Sequence, residues 1–150
     1  MEGEERKNVV NLLDGLQASA FTSSSFLNNQ STAYHSRMVK INGEFSRSCW
    51  YANVQAPHQW IQVDFGVAKM FTEILVTSSV LGEYIKYSTI YCGLDYFSVR
   101  AIGRFRLHSA KGTYIKVGLR YCRTVRLIVH DWKTKIALRW RIIQAPGVYS

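Results

Sequence analysis

The sequence predicts a single all-β domain built as an antiparallel β-sandwich or barrel, and three observations carry that expectation. Apolar and polar residues alternate with period two in segment after segment. These segments recur about every 10–15 residues with turn residues between them. No amphipathic helical stretch of convincing length interrupts them. Aromatic residues make up 13% of the 150, which favours strands, and two prolines with ten glycines are too few for a collagenous or disordered chain. A chain of this length forms one domain and buries about 70% of its unfolded surface.

Residues 1–15 read as a lead-in, residues 16–145 as the sandwich and residues 146–150 as a tail. Within the sandwich, His58–Gly66 (HQWIQVDFG) places Trp60, Ile61, Val63 and Phe65 as its apolar positions and ends on a glycine. Asp64 stands out there as a carboxylate in a strand that otherwise packs. Phe71–Ser79 sets Phe71, Glu73 and Leu75 against Thr72, Ile74 and Val76. Tyr84–Cys92 sets Tyr84, Lys86, Ser88 and Ile90 against Ile85, Tyr87, Thr89 and Tyr91. Arg104–His108 turns Phe105 and Leu107 inward. Arg123–Trp132 turns Val125, Leu127 and Val129 inward and Arg126, Ile128 and His130 outward. Ile136–Ile143 sets Ile136, Leu138, Trp140 and Ile142 against Arg139 and Arg141.

Two stretches do not alternate. Thr22–Ser36 is rich in Ser, Thr and Asn yet carries Phe26 and Leu27, and Ser78–Tyr84 carries Val80 and Leu81 just before a glycine. Polar loops with an apolar pair at the tip suit binding, because loops on a rigid scaffold are where ligands are met.

The net charge of +9 favours an anionic contact surface: a membrane, an acidic glycan or nucleic acid. For nucleic acid, Arg100, Arg104, Arg106, Lys111, Lys116, Arg120, Arg123 and Arg126 are interleaved with Tyr96, Phe97, Phe105, Tyr114 and Tyr121. The pattern is read instead as core aromatics with a solvated cationic face, so nucleic acid is disfavoured. No run of about 18 apolar residues is present, so no transmembrane helix is expected. The charged N-terminus lacks the apolar stretch of a signal peptide. The chain is therefore expected to be cytoplasmic or non-classically secreted if complete, and extracellular or cell-surface if excised from a longer protein.

Catalysis finds little support. His35, His58, His108 and His130 show no metal-ligand spacing, and neither a nucleophile elbow nor a phosphate-binding loop is present. No metal, cofactor or enzymatic activity is expected. Cys49, Cys92 and Cys122 give no even-numbered framework, which favours three reduced, mostly buried thiols. Cys92 and Cys122 would pair if their strands lay side by side.

Ala18-Ser19, Trp50, Trp60 to Gly66, Thr77, Val125-Arg126-Leu127, Trp132 and Ile136 to Arg139 follow one another in the order of a known pattern. Together they resemble the discoidin domain, the C-type domain of coagulation factors, which is related to galactose-binding carbohydrate modules. The resemblance spans about Leu16 to Ile143 and is weak from Gly93 to Tyr121. It implies an eight-stranded jelly-roll-like sandwich whose loops form ligand-binding spikes at one end. Phe26-Leu27 and Val80-Leu81 fall where the first and third spikes fall.

In that family such tips enter phospholipid surfaces beside cations, here Arg37, Lys40, Arg47 and Lys86, or the same end binds galactose-like sugars. For a sugar, Tyr34, His35, Asn28, Asn29 and Tyr84 would serve, with Arg37 as a bidentate donor. Trp50, Trp60, Asp64, Trp132 and Arg139 are then scaffold, with Asp64 pairing a cation such as Arg139. Related modules often hold a structural calcium; here the turn carries Asn42 and Glu44, Arg141 stands where the last strand usually has a Glu, and a cation at Arg141 would repel calcium. The cysteine staple of coagulation-type members is absent. The expected function is recognition of a cell-surface glycan, as in lectin-type adhesion, or of an anionic phospholipid. The alternative is a protein–protein interaction module in a larger assembly.

Overall fold

The computed structural model describes residues 10–95 and 98–144. The 146–150 tail and the aromatics Tyr96 and Phe97 lie outside the described residues. The strands in chain order are β1 (Val10–Asn11), β2 (Phe21–Ser23), β3 (Lys40–Ile41), β4 (Glu44–Phe45), β5 (Trp50–Tyr51), β6 (Trp60–Thr77), β7 (Tyr84–Gly93), β8 (Val99–Arg106), β9 (Thr113–Lys133) and β10 (Ala137–Gln144). Short 3₁₀ turns cover Ala18–Ala20 and Ala33–Ser36.

Two long antiparallel strands, β6 and β9, run through the whole fold and bend together. Their register shifts between Asp64 and Lys69 and again between Phe71 and Glu73. Gly66 adopts φ +81° at the first shift and Gly118 φ +72° on the facing strand, a conformation glycine takes without a Cβ penalty. The bend divides the ribbon into two layers. One layer reads β2, the start of β6, the end of β9, β7 and β8. The other reads β1, β10, the end of β6 and the start of β9. Ile61, Val63, Val125, Leu127, Val129, Ile90 and Phe105 from the first layer pack in one core with Phe71, Ile74, Val76, Trp140 and Ile142 from the second. The fold is thus an antiparallel β-sandwich, one of the two forms the alternation allows and the jelly-roll-like one the resemblance implies.

The inward residues of 104–108, 123–132 and 136–143 are buried as their alternation requires. Elsewhere the bulges change the phase. His58–Gly66 and Phe71–Ser79 contribute to one bent strand, and Phe71 shares the core side with Ile74 and Val76. In β7, shifts between Ile85 and Tyr87 and between Tyr87 and Ser88 bury both Tyr84 and Ile85, so the two-face split read over Tyr84–Cys92 does not hold. Leu13 is fully buried and Val10–Asn11 pairs with Gln144 and Ile143, so the packed unit takes in part of the lead-in.

Two pairings differ from expectation. Asp64 is met by Arg123, whose Nε and Nη2 donate to its carboxylate at 3.0 and 3.3 Å. Burial alone would raise this carboxyl, but the bonds from Arg123 and from the Gly66 amide outweigh it, leaving Asp64 below its ordinary value. Arg139 instead donates to the carbonyls of Ser78 and Ser46, tying a loop to the sheet. Cys92 and Cys122 form a disulfide, correcting the reading of three reduced thiols, while Cys49 is free and buried. Burial pushes the Cys49 thiol up to about 11, which makes it unreactive near neutrality.

Candidate functional site

The loops at one end of the sandwich are tied together through β5. The Leu27 amide donates to the Tyr51 carbonyl at 3.0 Å, and the Trp50 indole donates to the Ser25 carbonyl at 2.9 Å. From the other side, the Tyr51 hydroxyl donates to the carboxylate of Glu83, which also accepts from Ser79 Oγ at 3.0 Å. One two-residue strand thus fixes both apolar-tipped loops. The 78–83 loop is itself tight: Gly82 takes φ +86° and the Leu81 and Glu83 amides both donate to Ser79 Oγ. Thr77 Oγ1 reaches the Ala110 carbonyl at 3.5 Å, which brings the 107–112 loop and its exposed Lys111 alongside. The Ile136 amide donates to Gln55, closing the ring of loops with Lys133 and Lys135.

On this frame Phe26 is 47% exposed, Leu27 48%, Val80 43% and Leu81 79%. Packing therefore does not account for the four tips. Backbone strain collects here too. His58 and Thr134 adopt φ +74° and +67°, and for a β-branched residue such as Thr134 that conformation is costly unless its surroundings hold it.

The other sequence-predicted residues divide. Asn29 is exposed at the tip, whereas Asn28 Oδ1 is occupied by the Gln30 amide and Ser31 Oγ. Tyr34, His35 and Arg37 satisfy one another and their neighbours rather than opening a platform. The Arg37 guanidinium lies 3.7 Å over the Tyr34 ring and its Nε donates to the Tyr34 carbonyl. His35 Nδ1 is 3.0 Å from Thr32 Oγ1, and burial, followed by the charge of Arg37, lowers its pKa. Tyr84 is 5% exposed, so it cannot serve as a sugar-binding ring; the bulge in β7 turns it into the core. Lys86 is half-buried at the start of β7. Lys40 sits in the β3–β4 hairpin, where Lys40 and Arg141 both lie 5.3 Å from the Phe45 ring, and Arg47 follows it. That hairpin joins the sheet beside β10, through the Met38 amide on the Trp140 carbonyl and through Arg139, which bonds both Ser46 and Ser78 at the start of the Val80-Leu81 loop.

Trp50 is fully buried, Trp132 packs against the core, and Trp60 is half-buried. Among the described residues no group of three or more His, Cys, Asp or Glu side chains gathers to hold a metal, and no helix is long and apolar enough to cross a membrane. Tyr51 and Glu83, the joint of the site, were not singled out from sequence; the only signal was their place beside Trp50 and after Gly82.

That joint has a measurable consequence. Burial, then the bond to Glu83, holds the Tyr51 phenol well above its usual pKa, so it is a permanent donor. Tyr51→Phe removes a partner from a buried carboxylate and is expected to cost about 1–3 kcal/mol. Urea denaturation checks this, and a change below a few tenths would refute the joint.

The β-sandwich has the fold of solved discoidin and carbohydrate-binding-module structures. Discoidin II from Dictyostelium discoideum superimposes with a TM-score of 0.74 at 17% identity, over 95% of this chain and 60% of that one. Chitosan-binding module 1, derived from a chitosanase/glucanase of Paenibacillus sp. IK-5, gives 0.72 at 17% identity, over 89% of this chain and 98% of the module. The family 32 carbohydrate-binding module from C. perfringens NanJ, solved with galactose, gives 0.69 at 12% identity, over 91% and 98%. This chain thus spans three-fifths of discoidin II and nearly all of each carbohydrate module. No protein-family model and no curated protein matches the sequence.

Proposed function

We propose that this chain is a non-catalytic glycan-binding module that meets its sugar with the loops around Tyr51. One observation carries the reading: Phe26-Leu27 and Val80-Leu81 are exposed on two loops fixed to the same strand. Apolar side chains take the C–H face of a sugar ring, while Asn29 and Asn53, both exposed there, offer amides to its hydroxyls. The likeness to modules whose solved forms hold galactose or chitotriose supports this choice of ligand class. A lectin of this kind would act in adhesion at a cell surface, and the Cys92–Cys122 disulfide fits an oxidising compartment.

Glycan-array binding with competition by free galactose or N-acetylgalactosamine is the test. Phe26→Ser/Leu81→Ser is expected to weaken binding by at least about tenfold, since burying either side chain is worth about 1.5–3 kcal/mol. An array without hits would remove the reading.

A second reading rests on Leu81 being the most exposed of the tips, with Lys111, Lys133 and Lys135 on neighbouring loops. Four partly inserted side chains and two or three cations would supply roughly 6–9 kcal/mol towards an anionic leaflet before ordering costs. Sedimentation with vesicles should then rise with phosphatidylserine and fall with salt. Binding to neither sugar nor lipid would leave a protein partner for the same tips.

A further inference from the structure

The outer face of the β2–β6–β9–β7–β8 layer carries a second set of groups, separate from the loop end. The register places Trp60, Ile128, Thr89 and Arg104 in one row across four strands. Gln62, Arg126, Tyr91 and Ala101 form the next. Their sequence neighbours Ile61, Leu127, Ile90 and Phe105 are buried, so these rows face outward.

The cations in the rows are fixed rather than loose. The Arg126 guanidinium lies 4.0 Å over the Trp60 ring, with its Nε donating to Gln62 Oε1 at 2.9 Å. The Arg106 guanidinium lies 4.3 Å over the Tyr87 ring, whose hydroxyl accepts from Arg104 Nη1 at 3.2 Å. His130 packs 5.0 Å from Tyr87 and bonds Thr89 Oγ1 at 2.8 Å, with His58 next to it. Among the described residues, Arg104, Arg106 and Arg126 form no ion pair. Of the nearby acids, Asp64 is taken by Arg123, and Asp131 lies in the row of Tyr87 and Arg106, across β7 from Arg106. Beside Arg126, towards Val99 and Thr124, runs a depression of about 400 Å³ lined by Gln62, Tyr91, Val99, Thr124, Arg126 and Ile128.

We propose that this sheet face is a second binding site, for an acidic polysaccharide bearing carboxylates or sulfates. A guanidinium held over a ring loses little entropy on binding and keeps N–H groups for contact with a planar or tetrahedral oxyanion. Arg126 and Arg104 lie two strands apart, a span of about 10 Å that calls for a chain with repeated charge rather than one small anion. A single-stranded nucleic acid fits less well. It needs open ring faces for its bases, and here Arg126 and Arg106 cover the rings of Trp60 and Tyr87. The site goes beyond the loop-end reading and uses none of the apolar tips, asparagines or lysines on which that reading rests.

The test titrates a heparin decasaccharide and a single-stranded oligonucleotide of matched charge into the full chain. The decasaccharide is expected to bind more tightly than the oligonucleotide and to weaken with salt. Arg104→Gln/Arg106→Gln/Arg126→Gln is expected to weaken it at least about tenfold. Lys111→Gln/Lys133→Gln/Lys135→Gln removes the same charge at the loop end and should change it less than twofold. Arg126→Lys keeps the charge but loses the guanidinium fork and its Nε bond to Gln62, and is expected to weaken binding severalfold while leaving thermal unfolding unchanged.

Equal losses in both triple variants would reduce the effect to net charge and overturn the site. So would full affinity in the arginine triple variant, or tighter binding of the oligonucleotide. If the arginine triple variant does not fold, full affinity in Arg126→Lys overturns it instead. Free galactose should not compete with the decasaccharide, and Phe26→Ser/Leu81→Ser should leave its binding intact, so either site can fail without the other.

Discussion

Replacing Cys92 and Cys122 together with serine is expected to lower the unfolding free energy by about 3–4 kcal/mol. The two residues are 30 apart in sequence, so the bond closes a loop that contains all of β8 and the start of β9. In the unfolded chain that closure removes conformational freedom, and the gain grows slowly with loop length. The folded side of the argument is local. Cys92 faces Val125 in the β7–β9 pairing, whereas Cys122 pairs with Lys69 on β6. The disulfide therefore staples the point where β9 leaves β7 and turns with β6 into the second layer. Urea unfolding with and without reductant should reproduce the difference between wild type and double variant. Identical midpoints with and without reductant would show that the thiols are not bonded. The bond lies away from the Tyr51 joint, so glycan binding measured well below the unfolding transition should be unchanged.

Much of the sandwich could be read from alternation because most strand segments have one face on a shared core. Val125, Leu127 and Val129 show this plainly. What alternation could not show is where its phase breaks. The β6–β9 bend depends on a register shift opposite a glycine, and a lone glycine in a strand also reads as a simple end. The same blindness misplaced Tyr84, because the bulge that turns it inward leaves no mark in composition. The partner of Asp64 was missed for a related reason. Arg123 reaches it only because Asp64 pairs with Thr124, and that register is set by the whole β6–β9 ribbon.

At the loop end, sequence showed which apolar residues lacked a packing reason, and the exposure of Phe26, Leu27, Val80 and Leu81 agrees. It could not show that Tyr34, His35 and Arg37 spend their polar groups on one another. Side-chain type gives the capacity for a hydrogen bond, while its use depends on neighbours brought together by the turn.

Trp140→Ala is expected to cost about 3–5 kcal/mol, the range for deleting a fully buried large side chain. Its effect should not be uniform across the molecule. The Trp140 indole donates to Ser36 Oγ at 2.9 Å, and Ser36 Oγ in turn donates to the Ala33 carbonyl at 2.6 Å. The Met38 amide donates to the Trp140 carbonyl at 3.0 Å. Trp140 is thus where the polar loop carrying Phe26 and Leu27 returns to the sheet. Trp140→Phe keeps most of the buried volume and removes the indole donor, so it is expected to cost only about 1–2 kcal/mol. In that variant, amide hydrogen exchange should rise over residues 27–38 and stay unchanged over 78–84, which is held instead by Arg139, Ser79 and Tyr51. Sugar affinity should fall with it, because the 26–27 tip is then presented by a looser turn. Exchange that rises equally in both loops would mean that Trp140 supports the fold as a whole and does not position this half of the site.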